Sequence, residues 1–301
     1  MNEKIRQFFN YIQYEKRLSN HTVLAYTNDI NQFQIYLKAE FQIDNILETQ
    51  FQMLRSWIVH LIDLQDSVST INRKISCLKS FFKFCLKNNW VAVNPTAKLT
   101  RPKMPKRIPK QVEFTKLMDL KDFLQEQSKD NQYNTYRDYS MFMTFYSCGL
   151  RRSELIELKW SDIDFTKKEL KILGKGNKER FVPLHSEMAV ILKRYQELLL
   201  QQSFEKKAEP ALVFLTDSGE KMYPNFVYRK IKSYLNKVTT QTGLSPHSLR
   251  HSFATHLLNE GAELNAVKEL LGHSSLAATQ VYTSSSIERL KKIHEKFHPK
   301  L

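Results

Sequence analysis

Residues 94–110 read NPTAKLTRPKMPKRIPK, and this stretch decides the architecture because nothing in it can continue a helix or enter the middle of a sheet. Four prolines remove backbone donors and fix φ, while the Lys and Arg residues between them keep the segment solvated. It therefore reads as a basic linker, with one domain over residues 1–93 and a second over 111–301. Upstream, apolar residues recur at helical spacing in four segments, 3–16, 20–38, 48–63 and 69–87, and no strand pattern competes. In the fourth, Ile71, Ile75, Leu78, Phe82 and Cys85 form a core stripe, with Arg73, Lys74, Lys79, Lys83 and Lys87 on the other faces. The second follows Ser19 and Asn20, both good caps, and turns Val23, Ile30, Phe33 and Leu37 inward.

Downstream, helices are expected over 117–127 and 136–147, with another beginning near Ser153. A strand pair over 169–173 and 180–184 follows, joined by GKGNK, whose Gly and Asn suit a tight turn. The remainder reads as helical, ending in a basic amphipathic helix from Ile287 with Leu290, Ile293 and Phe297 at near-helical spacing. The class is mainly α, with two domains and one small β-sheet.

With 301 residues, 42% of them hydrophobic, the chain can bury two modest cores, which excludes a disordered protein. Lys and Arg number 46 against 31 Asp and Glu, a net charge of +15 that favours a polyanionic partner such as nucleic acid. The excess is shared: 16 basic against 8 acidic residues through Arg107, and 30 against 23 beyond it. Cys77, Cys85 and Cys148 are odd in number and lack CxxC spacing, so neither a disulfide framework nor a zinc site is expected, and a reducing cytosol fits. The N-terminus lacks the apolar core of a signal peptide and no window is apolar enough for a membrane span, so a soluble cytoplasmic protein is expected.

Four segments of the second domain carry candidate chemistry: Gly149-Leu150-Arg151-Arg152-Ser153-Glu154, Gly174-Lys175-Gly176, His247-Ser248-Leu249-Arg250, and Leu271-Gly272-His273 followed by Tyr282. Each alone has a plain structural reading. Arg151 is compatible with a solvated helix face, Gly-Lys-Gly with a mere hairpin tip, and His247 with a local hydrogen bond near a cap. Ser245-Pro246 marks a helix start, which puts His247 and Arg250 in the first turns on one face, where exposed amides and a guanidinium suit a phosphate. His247 and His251 also have the i,i+4 spacing of metal ligands, but no Glu lies between them as in HExxH and no thiolate or carboxylate cluster accompanies them. His251 and His256 read as structural residues of a helix whose stripe is Leu249, Phe253, Leu257 and Leu258.

Taken in order, Arg151, Lys175, His247-x-x-Arg250, His273 and Tyr282 resemble the tyrosine recombinase and phage integrase family, most of all its Xer-type members. The match is strongest over 247–282, HSLRHSFATHLLNEGAELNAVKELLGHSSLAATQVY, and residues 70–84, TINRKISCLKSFFKF, with Asn94-Pro95 resemble the family's core-binding domain. The resemblance implies a two-domain clamp of core-binding and catalytic domains, and strand cleavage and rejoining through a 3′-phosphotyrosine on Tyr282. It implies further that His247 accepts the phenol proton and that Arg151 and Arg250 clamp the phosphate. Lys175 would protonate the leaving 5′-oxygen, His273 would hydrogen-bond the phosphate, and Glu154 would keep the site in shape. Side-chain chemistry agrees, since a phenol of pKa about 10 needs a proton acceptor at neutral pH and preorganised guanidiniums suit a developing negative charge. No metal or nucleotide cofactor is called for, and the sequence contains no GxxxxGK[ST] loop.

For the first domain the resemblance implies that the second and fourth helices face DNA, bringing in Asn20, Thr22, Tyr26, Asn72, Arg73 and Lys79. The implied partners are double-stranded DNA with specific sites, three further protomers of the same chain or a paralogue in a tetramer on paired sites, and an accessory motor protein. Starting directly at the core-binding helices, with no arm-binding domain, favours Xer-like resolution of chromosome or plasmid dimers at the nucleoid. The alternatives are an integrase of a phage or transposon, a relaxing topoisomerase, and a non-catalytic DNA-binding accessory protein.

Overall fold

A computed structural model describes residues 3–104, 111–174, 179–204 and 211–272. The chain divides into two compact units, Met1–Arg107 and Ile108–Leu301. Lys175, His273, Tyr282 and the helix expected from Ile287 lie outside the described residues.

The first unit holds α1 (Glu3–Asn10), α2 (Asn20–Phe41), α3 (Phe51–Asp63) and α4 (Val68–Lys87). Ser19 and Ser67 begin α2 and α4: their hydroxyls accept the amides of Thr22 and Thr70 at 3.3 and 3.1 Å, satisfying donors that the first helical turn leaves open. The α4 stripe of Ile71, Ile75, Leu78, Phe82 and Cys85 is buried with Phe8, Ile30, Phe33, Leu37 and Trp57, as its spacing requires, and Val23 packs at the edge. Three local departures stand out. The first helix turns π-helical at Tyr11–Glu15 instead of running on as α, and the third starts at Phe51, after a 3-10 turn at Ile46–Glu48. Lys74, expected on a wet face, is buried, because Gln32 and Asp66 take its ammonium, the latter at 3.4 Å, beside the Trp57 ring. Part of the proline-rich segment packs here as well: Thr96 and Leu99 are buried, the Asn72 amide donates to the Pro102 carbonyl at 3.1 Å, and Arg101 donates to the Ser76 hydroxyl at 3.0 Å.

The second unit contains α5 (Phe114–Ser128), α6 (Tyr133–Cys148), α7 (Arg152–Glu157), α8 (Ser186–Leu200), α9 (Pro224–Val238), α10 (Pro246–Asn259) and α11 (Leu264–Leu271). Helix α6 is buried continuously from Arg137 to Cys148 and packs against α5, α8 and α10. A three-stranded antiparallel sheet follows α7 in the order β1 (Ile163–Asp164), β2 (Glu169–Leu173), β3 (Glu179–Pro183). The pair β2–β3 matches the expected hairpin, with Leu170 opposite Val182 and Ile172 opposite Arg180, whereas β1 is too short to leave an alternating pattern in the sequence. Between α8 and α9 the described chain is extended rather than helical, with bridges pairing Lys159 to Leu212 and Leu215 to Lys221. In α10, Leu249, Phe253 and Leu257 are buried but Leu258 is exposed, since it lies one step round the helix from the stripe.

No helix among the described residues is long and apolar enough to cross a membrane. All three cysteines are free and buried, and burial pushes the Cys85 and Cys148 thiols up to about 12, which suits packing rather than reactivity.

Candidate active site

Gly149 sets the site's geometry. It closes α6 in the left-handed region at φ +57, and a Cβ there would meet the Phe253 ring at 2.5 Å, so only glycine lets the chain reverse against α10. Two residues on, Arg151 takes the N-cap position of α7 in extended conformation. Its backbone amide donates to one Glu154 oxygen at 2.7 Å and its guanidinium to the other at 2.6 Å, so a single carboxylate fixes both the helix start and the arginine head. A further guanidinium nitrogen donates to the Gly272 carbonyl at 3.4 Å.

Pro246 opens α10 after Ser245, as expected, and brings Arg250 beneath the same carboxylate. The Arg250 guanidinium donates to the carbonyls of Gly149 and Leu271, at the C-terminal ends of α6 and α11, where helix dipoles favour a cation. Its nearest nitrogen is 3.7 Å from Glu154 Oε2. Arg151 and Arg250 thus converge on one point although they belong to different helices.

A third guanidinium completes the cluster. Arg180 of β3 forks onto Glu154 with contacts of 2.8 and 2.7 Å and donates from Nε to the Leu270 carbonyl at 3.0 Å. The sequence reading took Arg180 only as a strand residue. A signal was present: period-two alternation puts Arg180 on the same face as buried Val182, and a charge on the core face of a strand needs a partner.

Burial raises the Glu154 carboxyl, but the Arg180 fork, followed by the Arg151 contacts, outweighs it and holds the group at about 2. Burial, then the neighbouring charge of Arg151, lowers Arg250 to about 9, which leaves it cationic at neutral pH. His247 is exposed on the first turn of α10, and partial desolvation, with Arg152, Arg250 and Arg151 nearby, depresses its pKa below the ordinary histidine value. A neutral imidazole beside two fixed guanidiniums can accept a proton while an anion is held by its neighbours. His256 is structural: buried, it pairs with the Tyr146 hydroxyl at 2.9 Å. His247 and His251 are not part of any cluster of three metal-ligating side chains among the described residues.

Of the residues implied for chemistry, the structure brings together Arg151, Glu154, His247 and Arg250. On the first unit, Asn20 and Arg73 are exposed, and Thr22, Tyr26, Asn72 and Lys79 are half-buried along α2 and α4. Arg73 is engaged by Asp29 and by the Ala25 carbonyl at 3.3 Å.

The sequence model of the phage integrase family matches residues 113–289, and that of the phage integrase N-terminal SAM-like domain matches residues 5–89. A tyrosine recombinase XerD of Staphylococcus epidermidis is 36% identical over 300 residues, covering 100% of both chains. A tyrosine recombinase XerC of Chlorobaculum parvum is 34% identical over 316 residues, covering 98% of this chain and 94% of that one. Among solved structures, the XerH site-specific recombinase bound to a palindromic difH substrate in a post-cleavage complex shares the fold, with a TM-score of 0.69, 19% identity, and 96% of this chain and 93% of that one covered.

Proposed function

This chain belongs to the phage integrase family of tyrosine recombinases, and from that premise we propose that it is a site-specific DNA recombinase of the Xer type, cutting and rejoining DNA through a 3′-phosphotyrosine on Tyr282. The observation that carries the reading is the convergence of Arg151 and Arg250 on the Glu154 carboxylate with His247 in their field. Such a cluster is a preorganised cationic seat for a phosphodiester, and it needs no rearrangement as negative charge builds in the transition state.

In the proposed step the Tyr282 oxygen bonds to phosphorus and the bond to the 5′-oxygen breaks. His247 takes the phenol proton, and Lys175 supplies one to the departing 5′-hydroxyl. A guanidinium carries five N–H groups, so Arg151 and Arg250 keep donors for the non-bridging oxygens beyond those committed to protein carbonyls and Glu154. His273 adds a hydrogen bond to the same phosphate. Attack by the 5′-hydroxyl of the partner strand reverses the sequence, and because the phosphotyrosine retains the ester's energy, rejoining consumes no nucleotide.

Residues 1–93 act as the core-binding domain, 94–110 as the basic linker and 111–301 as the catalytic domain of a clamp on the duplex. Asn20, Thr22, Tyr26, Asn72, Arg73 and Lys79 lie on its DNA face. The working assembly is a tetramer on two sites, built with itself or with a paralogue, in the cytoplasm at the nucleoid. Its role is the resolution of chromosome or plasmid dimers, which links it to chromosome partition at cell division. The full-length likeness to proteins named XerD and XerC supports this over a mobile-element integrase.

A nicked suicide duplex carrying the site recovered by mapping protected host DNA tests the chemistry. The parent chain traps a covalent adduct and Tyr282→Phe traps none. Tight binding by the parent without an adduct overturns the reading in favour of a non-catalytic accessory protein.

A further inference from the structure

Arg180 is 3% exposed on the core face of a strand, a position where the alternation of β3 calls for an apolar side chain. A buried guanidinium is costly unless its charge and its N–H groups are met, and removing one partner of such a pair is worse than never having made it. Here each of the three guanidinium nitrogens has a partner. Two nitrogens reach the two oxygens of Glu154 in parallel, the geometry in which Arg–carboxylate pairing is strongest, and Nε reaches the Leu270 carbonyl at the end of α11. The stem is fitted as closely as the head. Gly272 caps α11 at φ +65, and a Cβ on it would lie 2.9 Å from Arg180 Cδ, so the glycine both ends the helix and makes room for the arginine.

The connectivity gives these contacts their meaning. Glu154, held by Arg180, is the group that aligns the Arg151 guanidinium and amide. Leu270, also held by Arg180, precedes Leu271, whose carbonyl anchors Arg250, and α11 ends at Gly272, directly before His273. The strand that carries Arg180 begins at Glu179, four residues after Lys175 in the sequence. One side chain therefore links, through bonded neighbours, the groups that hold Arg151 and Arg250.

We propose that Arg180 is a positioning residue for DNA cleavage: it locks the Glu154 carboxylate that orients Arg151 and pins the end of α11 to strand β3. This rests on the recombinase reading above. Arg180 itself is too enclosed to touch a phosphate, so it acts on rate without acting on DNA affinity.

Lysine at position 180 preserves the charge but not the fork, so one Glu154 oxygen loses its Arg180 contact and keeps only the one from Arg151. Among the described residues the charged groups facing that carboxylate are Arg151, Arg180 and Arg250. With the fork gone, burial weighs more heavily on Glu154 and its pKa rises from about 2. His247 contributes its own limb to every variant, so the diagnostic limb is the one that Glu154→Gln removes.

The experiment measures single-turnover adduct formation on the nicked suicide duplex across pH, together with duplex affinity and thermal unfolding, for the full chain, Arg180→Lys, Glu154→Gln and the double variant. Arg180→Lys should bind within about threefold of the parent yet form adduct about 100-fold more slowly, the scale expected of a small misplacement of reacting groups. Its acidic limb should also lie at higher pH than that of the parent. The double variant should be no slower than the slower single variant, because both remove the same constraint. Parent-like adduct rates in Arg180→Lys, a parallel fall in DNA affinity, or multiplicative losses in the double variant overturn the proposal. Should Arg180→Lys lose its unfolding transition, Glu154→Gln decides: a slowed adduct at unchanged affinity supports the role and a parent-like rate overturns it. A parent chain that forms no adduct overturns the recombinase reading, and this role with it.

Discussion

Glu154 in the second unit and Asp29 in the first are both buried carboxylates facing arginine, 7% and 1% exposed, yet their protons are held oppositely. Glu154 meets two guanidiniums and a backbone amide and stays ionised down to about 2. Asp29 meets Arg73, whose side chain is 41% exposed, and desolvation outweighs that contact, so its carboxyl is raised above the usual range. Burial taxes both alike; the number of donors that come with it decides the outcome. The second unit has built an anion around which cations are fixed, whereas the first has left an arginine at the rim, half in water.

The largest expected effect separates the two directly. Glu154→Ala leaves Arg180 and Arg250 buried without their shared counter-charge and should cost about 3–5 kcal/mol in urea unfolding. Asp29→Ala should cost less, about 1–3 kcal/mol, because Arg73 can turn to solvent. Equal losses would break the comparison, and with it the claim that Glu154 is the anchor of a cluster rather than one ion pair among several.

The contrast also marks what the sequence could tell. Helices announce themselves through stripes such as Ile71, Ile75 and Leu78 and through caps such as Ser19, because those signals are local and periodic. The hairpin was legible for the same reason, and so were Arg151, His247 and Arg250, whose order and spacing match a known family. Pairings are not local. Lys74 looks like any solvated lysine until Trp57, Gln32 and Asp66 are folded around it. Arg180 looks like a strand residue until α7 and α11 close over it, and only its phase with Val182 hints otherwise. The extended stretch between α8 and α9 escaped because isolated bridges leave no repeat to detect.

A second, smaller effect sharpens the comparison through pH. With an unfolded carboxyl near 4.3, the ionised Glu154 contributes about 3 kcal/mol that is fully present above that value and is lost as pH falls toward about 2. The deficit of Glu154→Gln relative to the parent should therefore shrink on acidification through that window. Asp29 has the opposite sign. Its folded pKa lies above the unfolded value, so the ionised form opposes folding above the folded pKa and that penalty fades as pH falls through it. The parent should gain stability relative to Asp29→Asn on acidification. Urea midpoints of the three proteins at a series of pH values test both, and slopes of the same sign for the two variants would refute the assignment.

The smallest effect concerns DNA, and it asks whether the loosely held arginine is available. A lysine that neutralises a phosphate releases counterions and contributes about 0.9 to the slope of log affinity against log salt. Lys79, half-buried on α4 and proposed for the DNA face, should show that loss when changed to Gln. Arg73 should lose less than half as much in Arg73→Gln, because Asp29 and the Ala25 carbonyl already engage its guanidinium. Asp29→Asn should then raise the slope, since it frees Arg73 for phosphate without changing anything that touches Lys79. A full unit lost from Arg73→Gln in the parent background would mean that Asp29 surrenders its arginine on binding, and the rim pair would have to be read as a reserve of charge rather than a structural contact.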